Sequence, residues 1–187
     1  MNLILASKSP RRKTLLSLLG VDFEVREADV DENPFDDESP RDMTVRLAEL
    51  KATTVLQAVG PEYSVLGGDT TVAIDNESLG KPESFNEAVS MLEKLSARTH
   101  SVFSAVSLAS GDGCKSLVCE TLVTFRELTD EEIHAYCNTS DPYDKAGGYG
   151  IQGGASKFVA DLKGSYSNVV GLPLWHTHQL LFSGSTE

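Results

Sequence analysis

Asn2-Leu-Ile-Leu-Ala-Ser-Lys-Ser-Pro-Arg-Arg12 is the stretch of sequence that decides the fold. Its first five residues, which are apolar after Asn2, have the length of a short buried strand. Ser9 and Pro10 then supply the N-cap and the first-turn proline of a helix, which is predicted to end at Gly20. A buried strand that passes directly into a helix is a βα unit, and such units are typical of α/β proteins.

Start and stop signals divide the rest of the chain into further elements. Ser39-Pro40 opens a helix that is predicted to run to about Val59, and a polar, acidic loop is expected before it. The other predicted helices are capped by Ser84 with Glu87, by Thr129 with Glu132, and by Pro173. One strand is predicted over 64–68 and 70–74, interrupted or ended around Asp69. Residues 101–109 and 117–125 are predicted to form a hairpin, and residues 158–162 and 166–170 two further strands. We therefore predict a single domain of residues 1–187, an α/β fold with a mixed sheet and two lobes around a central cleft.

The composition is that of an ordinary globular protein with an excess of acidic residues. Of its 187 residues 40% are hydrophobic and 24% are charged, and the formal net charge is −12. Repulsion by this net negative charge argues against nucleic acid or an anionic membrane as the main partner. An anionic ligand must therefore be small and bind at a local cluster of positive charge. No run reaches the ~18 apolar residues of a membrane helix. No signal peptide is expected, and three cysteines without a CxxC pair fit a cytoplasmic protein.

The junction between the first strand and its helix has the character of a phosphate site. Free backbone N–H groups, the positive end of the helix dipole and the guanidinium groups of Arg11 and Arg12 converge beside Ser7. Two alternatives stay open from these residues alone. The arginines are solvated at the helix start, or they pair with the acidic stretch from Asp29 to Glu38.

A second group of residues suits a metal and a triphosphate. Gly67-Gly-Asp-Thr70 places an acid beside glycines near a strand end, where α/β proteins hold a metal or a catalytic base. Asp31-Glu32 offers hard oxygen ligands, and Lys51 and Lys81 offer point positive charges. Each of these is compatible with an ordinary surface position. Their occurrence together with the arginine cluster favours a site.

The glycine-rich motif and the histidines do not indicate a functional site. Gly148-Tyr-Gly-Ile-Gln-Gly153 has the spelling of a dinucleotide-binding loop, but it leads into a predicted strand instead of opening a helix after one. His176 and His178 are two apart on a predicted helix, point to different faces, and are expected at the surface. The two remaining histidines, His100 and His134, have no Ser or Cys partner at a recognisable spacing, so a hydrolytic triad has no support.

Seven motifs, in order over nearly the whole chain, form a family pattern. They are Leu5-Ala-Ser-Lys-Ser-Pro-Arg-Arg12, Asp31-Glu32, Arg46-Leu-Ala48 followed by Lys51, Gly68-Asp-Thr70, Gly80-Lys-Pro82, Asp144-Lys-Ala-Gly147 with Tyr149-Gly-Ile-Gln152, and Gly164-Ser-Tyr166 with Val169-Val-Gly-Leu-Pro173. Together they closely resemble the Maf-like nucleoside triphosphate pyrophosphatases. Gly68, where alanine is common, is a mild departure.

The resemblance implies a fold related to that of the inosine triphosphate pyrophosphatases, with a cleft for a nucleotide and a divalent cation, Mg²⁺ or Mn²⁺. It also implies cleavage between the α- and β-phosphates. By match of motif, Asp69 is the expected catalytic proton acceptor, and Glu32 and Asp69 are the expected metal ligands. Arg12, Lys51 and Lys81 would contact the triphosphate, with Ser7 in the same phosphate cradle. Arg12, Thr70 and Gln152 match the subgroup that hydrolyses dTTP and UTP.

Two functions follow as hypotheses. The first is a dTTP/UTP pyrophosphatase that removes surplus or modified pyrimidine nucleotides, with a homodimer as the usual expectation for such an enzyme. The second is a nucleotide-binding regulator of cell division, acting in septum formation, in which the same pocket senses a nucleotide with little turnover. Release of pyrophosphate by the purified protein separates the two.

Overall fold

The computed structural model describes residues 2–182, which form one mixed sheet flanked by helices. The strands are β1 (Leu3–Ala6), β2 (Phe23–Arg26), β3 (Ser64–Ile74), β4 (Glu77–Leu79), β5 (Thr99–Ser110), β6 (Gly113–Phe125) and β7 (Val159–Lys163). The helices are α1 (Pro10–Ser17), α2 (Pro40–Val59), α3 (Phe85–Leu95), α4 (Asp130–Cys137), α5 (Tyr166–Val170) and α6 (Leu174–Phe182). The strand order is β2-β1-β3-β5-β6-β7, with β4 also paired to β3. The β2-β1-β3 pairs are parallel and the others are antiparallel, so the predicted mixed α/β class is confirmed.

Strand β3 organises the sheet and creates its cleft. One of its edges pairs with β5 without interruption from residue 65 to residue 73. Along the other edge, β1 pairs with residues 64–67 and β4 with residues 72–74, so within the described residues 2–182 no strand pairs with residues 68–71 there. The predicted interruption at Asp69 is therefore wrong, because continuous pairing with β5 holds the glycines and the acid in extended backbone. The unpaired stretch separates two lobes, as predicted.

The two faces of the sheet carry different helices. Helix α2 covers one face, where Ala52 and Val55 pack with residues of β1, β3 and β5. A Cβ atom on Gly67 would lie 2.2 Å from the main-chain oxygen of Ala48, so only glycine permits this close approach of α2 to β3. On the opposite face Leu15 of α1, Val170 of α5 and residues of α6 pack over β1, β3 and β5.

The second lobe has its own core. Residues at the far end of β3, β5 and β6 pack against α3, α4 and the segment that follows α4. Within that segment, residues 141–144, 146–148 and 154–158 form short 3₁₀ turns. Aromatic side chains fill this core through edge-to-face contacts between Phe125, Tyr149, Tyr136 and Phe158.

The predicted helix starts at Pro10, Pro40, Ser84, Thr129 and Pro173 are confirmed to within about a residue, because local capping chemistry sets them. Thr129 and Glu132 form the full capping box. At Ser84 only half of the predicted box forms, because Glu87 accepts from the amide of Glu83 instead. The hairpin of β5 and β6 is also confirmed and is longer than predicted.

Two further predictions about secondary structure are wrong. Strand β2 lies inside the expected acidic loop: Phe23-Glu-Val-Arg26 alternates apolar and polar residues, but the strand is only 4 residues long and forms an exposed edge of the sheet. Residues 166–170 form α5 and no strand, because Ser165 caps the amide of Asn168 and Gly171, at φ 125°, ends the helix. In the part of the chain that the structure describes, no helix is both long and apolar enough to cross a membrane.

Candidate active site

A cleft of about 1060 Å³ lies over the unpaired stretch of β3, a size in the upper range of small-molecule sites. Every site residue predicted from the sequence lines it. These are Ser7, Arg12, Glu32, Lys51, Asp69, Thr70, Lys81 and Gln152. Residues from both lobes and from separate parts of the chain therefore meet at one place.

Lys51 joins the two predicted metal-binding carboxylates. It extends from α2, and its Nζ lies 2.6 Å from Oε1 of Glu32 and 2.7 Å from Oδ1 of Asp69. Lys51 and Asp69 are nearly buried, whereas the side chain of Glu32 is 54% exposed. Burial alone would raise the pKa of Glu32, but the hydrogen bond and charge of Lys51, with the charges of Lys81 and Arg12, lower it below its usual value.

The position of Lys51 follows from the packing of α2 on β3. Glycine at position 67 lets the helix approach, and Ala48 and Ala52 present small side chains to the strand. One turn before Ala48, the buried hydroxyl of Thr44 donates to the main-chain oxygen of Pro40 at 2.6 Å, and it lies 2.8 Å from the hydroxyl of Thr71. Lys51, one turn after Leu47, is thereby directed at the unpaired edge of β3.

Arg46 anchors the loop that carries Glu32, and sequence reasoning assigned it no role. Its Nε and Nη2 donate to the two carboxylate oxygens of Glu38 at 2.6 and 2.7 Å, and Nη2 also donates to the main-chain oxygen of Asn33 at 3.1 Å. The ring of Phe35 stacks on the guanidinium at 3.9 Å. The only sequence signal for Arg46 was its place in a family motif. Its hydrogen-bond partners in the loop are identified only by the folded structure.

Arg12 lies on the other side of β3 and is held from three directions. Its Nε donates to the main-chain oxygen of Gly171 at 2.9 Å, Nη2 to Oγ1 of Thr70 at 3.1 Å, and Nη1 to Oγ of Ser7 at 3.4 Å. Both open alternatives for Arg12, a solvated position and pairing with the acidic loop, are therefore wrong. Burial lowers the pKa of its guanidinium, and the nearby charge of Asp69 offsets this lowering only in part. Two of its five N–H donors remain for a ligand.

Arg11 ties α1 to the opposite wall of the cleft. Its Nη1 donates to Oδ2 of Asp144 at 2.9 Å, and Lys145 donates to the other oxygen of that carboxylate. Burial raises the pKa of Asp144, but these two hydrogen bonds and charges lower it overall. The pair joins positions 133 residues apart, and the acidic loop that the sequence offered as an alternative partner is not involved.

Lys81 and Gln152 stand at the rim of the cleft. Both side chains are exposed, and Lys81 has no carboxylate within ion-pair distance among residues 2–182. Its charge acts on Glu32 from a distance. Gln152 follows Tyr149, whose hydroxyl is 2.6 Å from Nε2 of buried His100.

The donor set fits a divalent cation that arrives with a phosphate ligand. Glu32 and Asp69 each place one oxygen on Lys51, which leaves each a second oxygen for a metal. Among residues 2–182 no group of three or more Asp, Glu, His or Cys side chains forms a complete metal cage. Mg²⁺ typically keeps several waters and binds through one or two carboxylates together with substrate phosphates, which is the arrangement these residues offer.

The family model described as Maf-like protein matches residues 2–183. The chain belongs to the Maf-like family. Curated relatives match it over almost their full length. A protein of Pseudoalteromonas atlantica named dTTP/UTP pyrophosphatase is 50% identical over 96% of this chain and 95% of its own. Proteins with the same name from Hahella chejuensis and Vibrio parahaemolyticus are each 46% identical, over 96% and 97% of this chain and 90% and 96% of their own.

Solved structures offer a more distant likeness to this Maf-like chain. A nucleoside-triphosphatase / dITP/XTP pyrophosphatase from Mycobacterium abscessus has a TM-score of 0.46 and 18% identity, and it covers 68% of this chain and 76% of its own.

Proposed function

We propose that this Maf-like protein hydrolyses dTTP and UTP to the monophosphate and pyrophosphate, and so removes surplus or modified pyrimidine nucleotides. The observation that carries the proposal is the contact of one ammonium, Lys51, with two carboxylates, Glu32 and Asp69, at the open edge of β3. Arg12 lies across the strand from them, with donors left for an anion. The names of the relatives that share the family support the same substrates.

The reaction needs a proton acceptor and positive charge near the leaving group. A water oxygen attacks the α-phosphorus in line, the bond from that phosphorus to the bridging oxygen breaks, and the water proton passes to the carboxylate of Asp69. Lys51 holds that carboxylate in place through its 2.7 Å contact. Lys51, Lys81 and Arg12 balance the charge that develops on pyrophosphate as it leaves.

A divalent cation held by Glu32 and Asp69 would supply Lewis-acid stabilisation of the phosphate oxygens when bound. The protein's own part is to present two carboxylates at one place and to keep Lys51 between them. Glu32 depends for this on the loop that Arg46 anchors. Mg²⁺ and Mn²⁺ are both expected to serve, because the ligands are all oxygen atoms.

Recognition of the base falls to Thr70 and Gln152 in this proposal. The Gln152 amide offers both a donor and an acceptor, which suit O4 and N3–H of uracil or thymine, while cytosine presents the opposite pattern. A site discriminates strongly between bases when the wrong base leaves its buried polar groups without hydrogen-bond partners. One methyl group, the difference between thymine and uracil, changes the binding free energy by only ~1–3 kcal/mol. We therefore expect dTTP and UTP to be accepted together.

A nucleotide panel tests the proposal. Release of pyrophosphate is measured with dTTP, UTP, CTP, dCTP, GTP, 7-methyl-GTP and ATP in the presence of Mg²⁺ or Mn²⁺. The expected result is a higher kcat/KM for dTTP and UTP than for any other substrate. Tight binding of nucleotide without turnover would support the regulator of cell division instead, and preference for a purine would contradict the substrate assignment.

We infer in addition that the enzyme acts in the cytoplasm and forms a homodimer, as the resemblance implies. Cys114, Cys119 and Cys137 are all free thiols, which suits a reducing compartment. Light scattering on the purified protein measures the assembly, and a monomer at micromolar concentration would contradict the dimer.

A further inference from the structure

Four residues form a chain of hydrogen bonds from the cleft into the core. Thr70 on β3 lies directly opposite Ser104 on β5, and their hydroxyl oxygens are 2.8 Å apart. The hydroxyl of Ser104 is also 2.8 Å from the main-chain oxygen of Asn168 in α5. At the cleft end, Nη2 of Arg12 donates to Thr70 at 3.1 Å. Ser104 is fully buried, so it acts on a ligand only through Thr70.

The hydrogens along this chain have one consistent direction. The main-chain oxygen of Asn168 only accepts, so the single hydroxyl hydrogen of Ser104 lies between the two atoms. Ser104 then has no hydrogen left for Thr70, and the 2.8 Å contact between the two hydroxyls requires Thr70 to donate. The other acceptor near Thr70, the oxygen of Gly171, is 3.4 Å away and beyond the usual range of about 2.5–3.0 Å for such a bond.

Thr70 therefore presents only lone pairs to its surroundings. One lone pair accepts from Arg12, and the hydrogen is committed to Ser104. The remaining lone pair can meet an N–H group of a ligand and opposes any ligand acceptor placed there. A free threonine hydroxyl would turn to suit either kind of group, so the selectivity depends on Ser104.

Thr70 stands at the boundary between two parts of the cleft. Arg12 lies on its charged side. Val72 follows it on the same face of β3, and Val102 lies opposite Val72 on β5. With Tyr149, these side chains give the cleft an apolar part that suits a flat ring. A pyrimidine ring there would present its edge to Thr70.

We propose that Ser104 is a positioning residue for base specificity: by holding the hydrogen of Thr70, it makes Thr70 an obligate acceptor for N3–H of uracil or thymine. Gln152 then donates to O4, so the two residues divide the edge of the base between them. Cytosine, which has a lone pair at N3, meets the lone pair of Thr70 and is rejected. This proposal rests on the proposed pyrimidine substrates.

The test compares Ser104→Ala with Ser107→Ala. Ser107 is also a fully buried serine of β5, but it lies on the opposite face of the sheet and bonds to Ser116. The ratio of kcat/KM for UTP to kcat/KM for CTP is measured for both variants and for the wild type. Because a mispaired hydrogen bond is worth roughly 1 kcal/mol or more, the ratio should fall by about fivefold or more in Ser104→Ala and stay unchanged in Ser107→Ala.

A double-mutant cycle separates specificity from a structural role. In a Thr70→Val background, Ser104→Ala should change the ratio no further, because the hydroxyl through which it acts is gone. Thr70→Val alone should also lower the ratio, which provides a result if Ser104→Ala does not fold. A wild-type ratio in folded Ser104→Ala, or an equal additional loss in the Thr70→Val background, would overturn the proposal.

Binding of the products UMP and CMP, measured by calorimetry, needs no turnover. If the wild type releases no pyrophosphate from UTP, the proposed function fails, but a preference for UMP that disappears in Ser104→Ala would still support the role of Ser104. If UTP is hydrolysed and the preference for UMP over CMP persists in Ser104→Ala, the function stands and the role of Ser104 is wrong.

Discussion

Asp69 and Thr70 are neighbours in sequence, yet their side chains project from opposite faces of β3. Asp69 contacts Lys51 from α2, and Thr70 contacts Arg12 and Ser104 on the other face. Both reach one cleft because no strand of the described part of the chain pairs with this edge of β3 at residues 68–71. Under the proposed function, this separates the proton acceptor from the residues that read the base, so variants on the two faces should affect different kinetic constants.

Asp69→Asn is expected to lower kcat by about 10²-fold or more while nucleotide binding is largely kept, because the amide preserves shape but accepts no proton. Steady-state release of pyrophosphate and calorimetric binding of UTP measure the two effects. Asp75→Asn, on an exposed turn where Asp75 pairs with Arg98, is the matched control and should retain activity. Near-normal turnover in Asp69→Asn would show that another group takes the proton.

Turnover is expected to require added Mg²⁺ or Mn²⁺ and to stop in excess EDTA, because Glu32 and Asp69 offer only oxygen ligands. Binding of Mn²⁺ with the α,β-methylene analogue of UTP, followed by electron paramagnetic resonance, gives a readout without turnover. Glu32→Gln should weaken it, whereas Asp36→Asn, an exposed acid of the same loop outside the cleft, should not. Full activity in excess EDTA would show that turnover does not require a divalent cation.

Gln152→Glu should erode the preference for dTTP and UTP, because a carboxylate cannot donate to O4 of the base. The kcat/KM values for the seven nucleotides are compared between the variant and the wild type. Gln57→Glu makes the same change of charge at an exposed position of α2 and should preserve the ranking. The same order of substrates in both variants would mean that Gln152 does not read the base.

Gly67→Ala should destabilise the fold by about 1–3 kcal/mol and reduce turnover, because the new Cβ meets the main chain of α2 and displaces Lys51. Gly68→Ala is the control: its Cβ would lie 3.4 Å from Arg12 and Ala105, an ordinary contact, so stability should change by less than about 1 kcal/mol. Urea denaturation measures both. Equal stability of the two variants would contradict the packing argument.

Buried His100 should make stability depend on pH. Burial lowers its pKa to about 4, so below pH 6.5 the unfolded chain binds a proton that the folded protein excludes, and stability falls with pH until about 4. The loss should approach ~3 kcal/mol in the wild type and disappear in His100→Phe. His134→Gln, at an exposed position of α4, is the control. The free energy of unfolding is measured by urea denaturation from pH 4 to 7. If it depends on pH in His100→Phe as steeply as in the wild type, groups other than His100 cause the loss of stability.

The sequence by itself determined the helix starts, the hairpin, the mixed α/β class and the set of residues that meet at the cleft. Capping residues act on amides within three positions of themselves, and the hairpin depends on a short turn, so these features are readable locally. The site residues were readable because family motifs retain them in order, although no single motif shows that they meet.

Only the tertiary structure decided how those residues are used. Continuous β3 depends on its pairing with β5, and β2 depends on its pairing with β1, so both need segments that lie elsewhere in the chain. The same holds for Arg12: its partners Thr70 and Gly171 lie 58 and 159 positions away in the chain. Local sequence carries no record of such contacts, because they form only when the sheet brings both faces of β3 against their helices and turns.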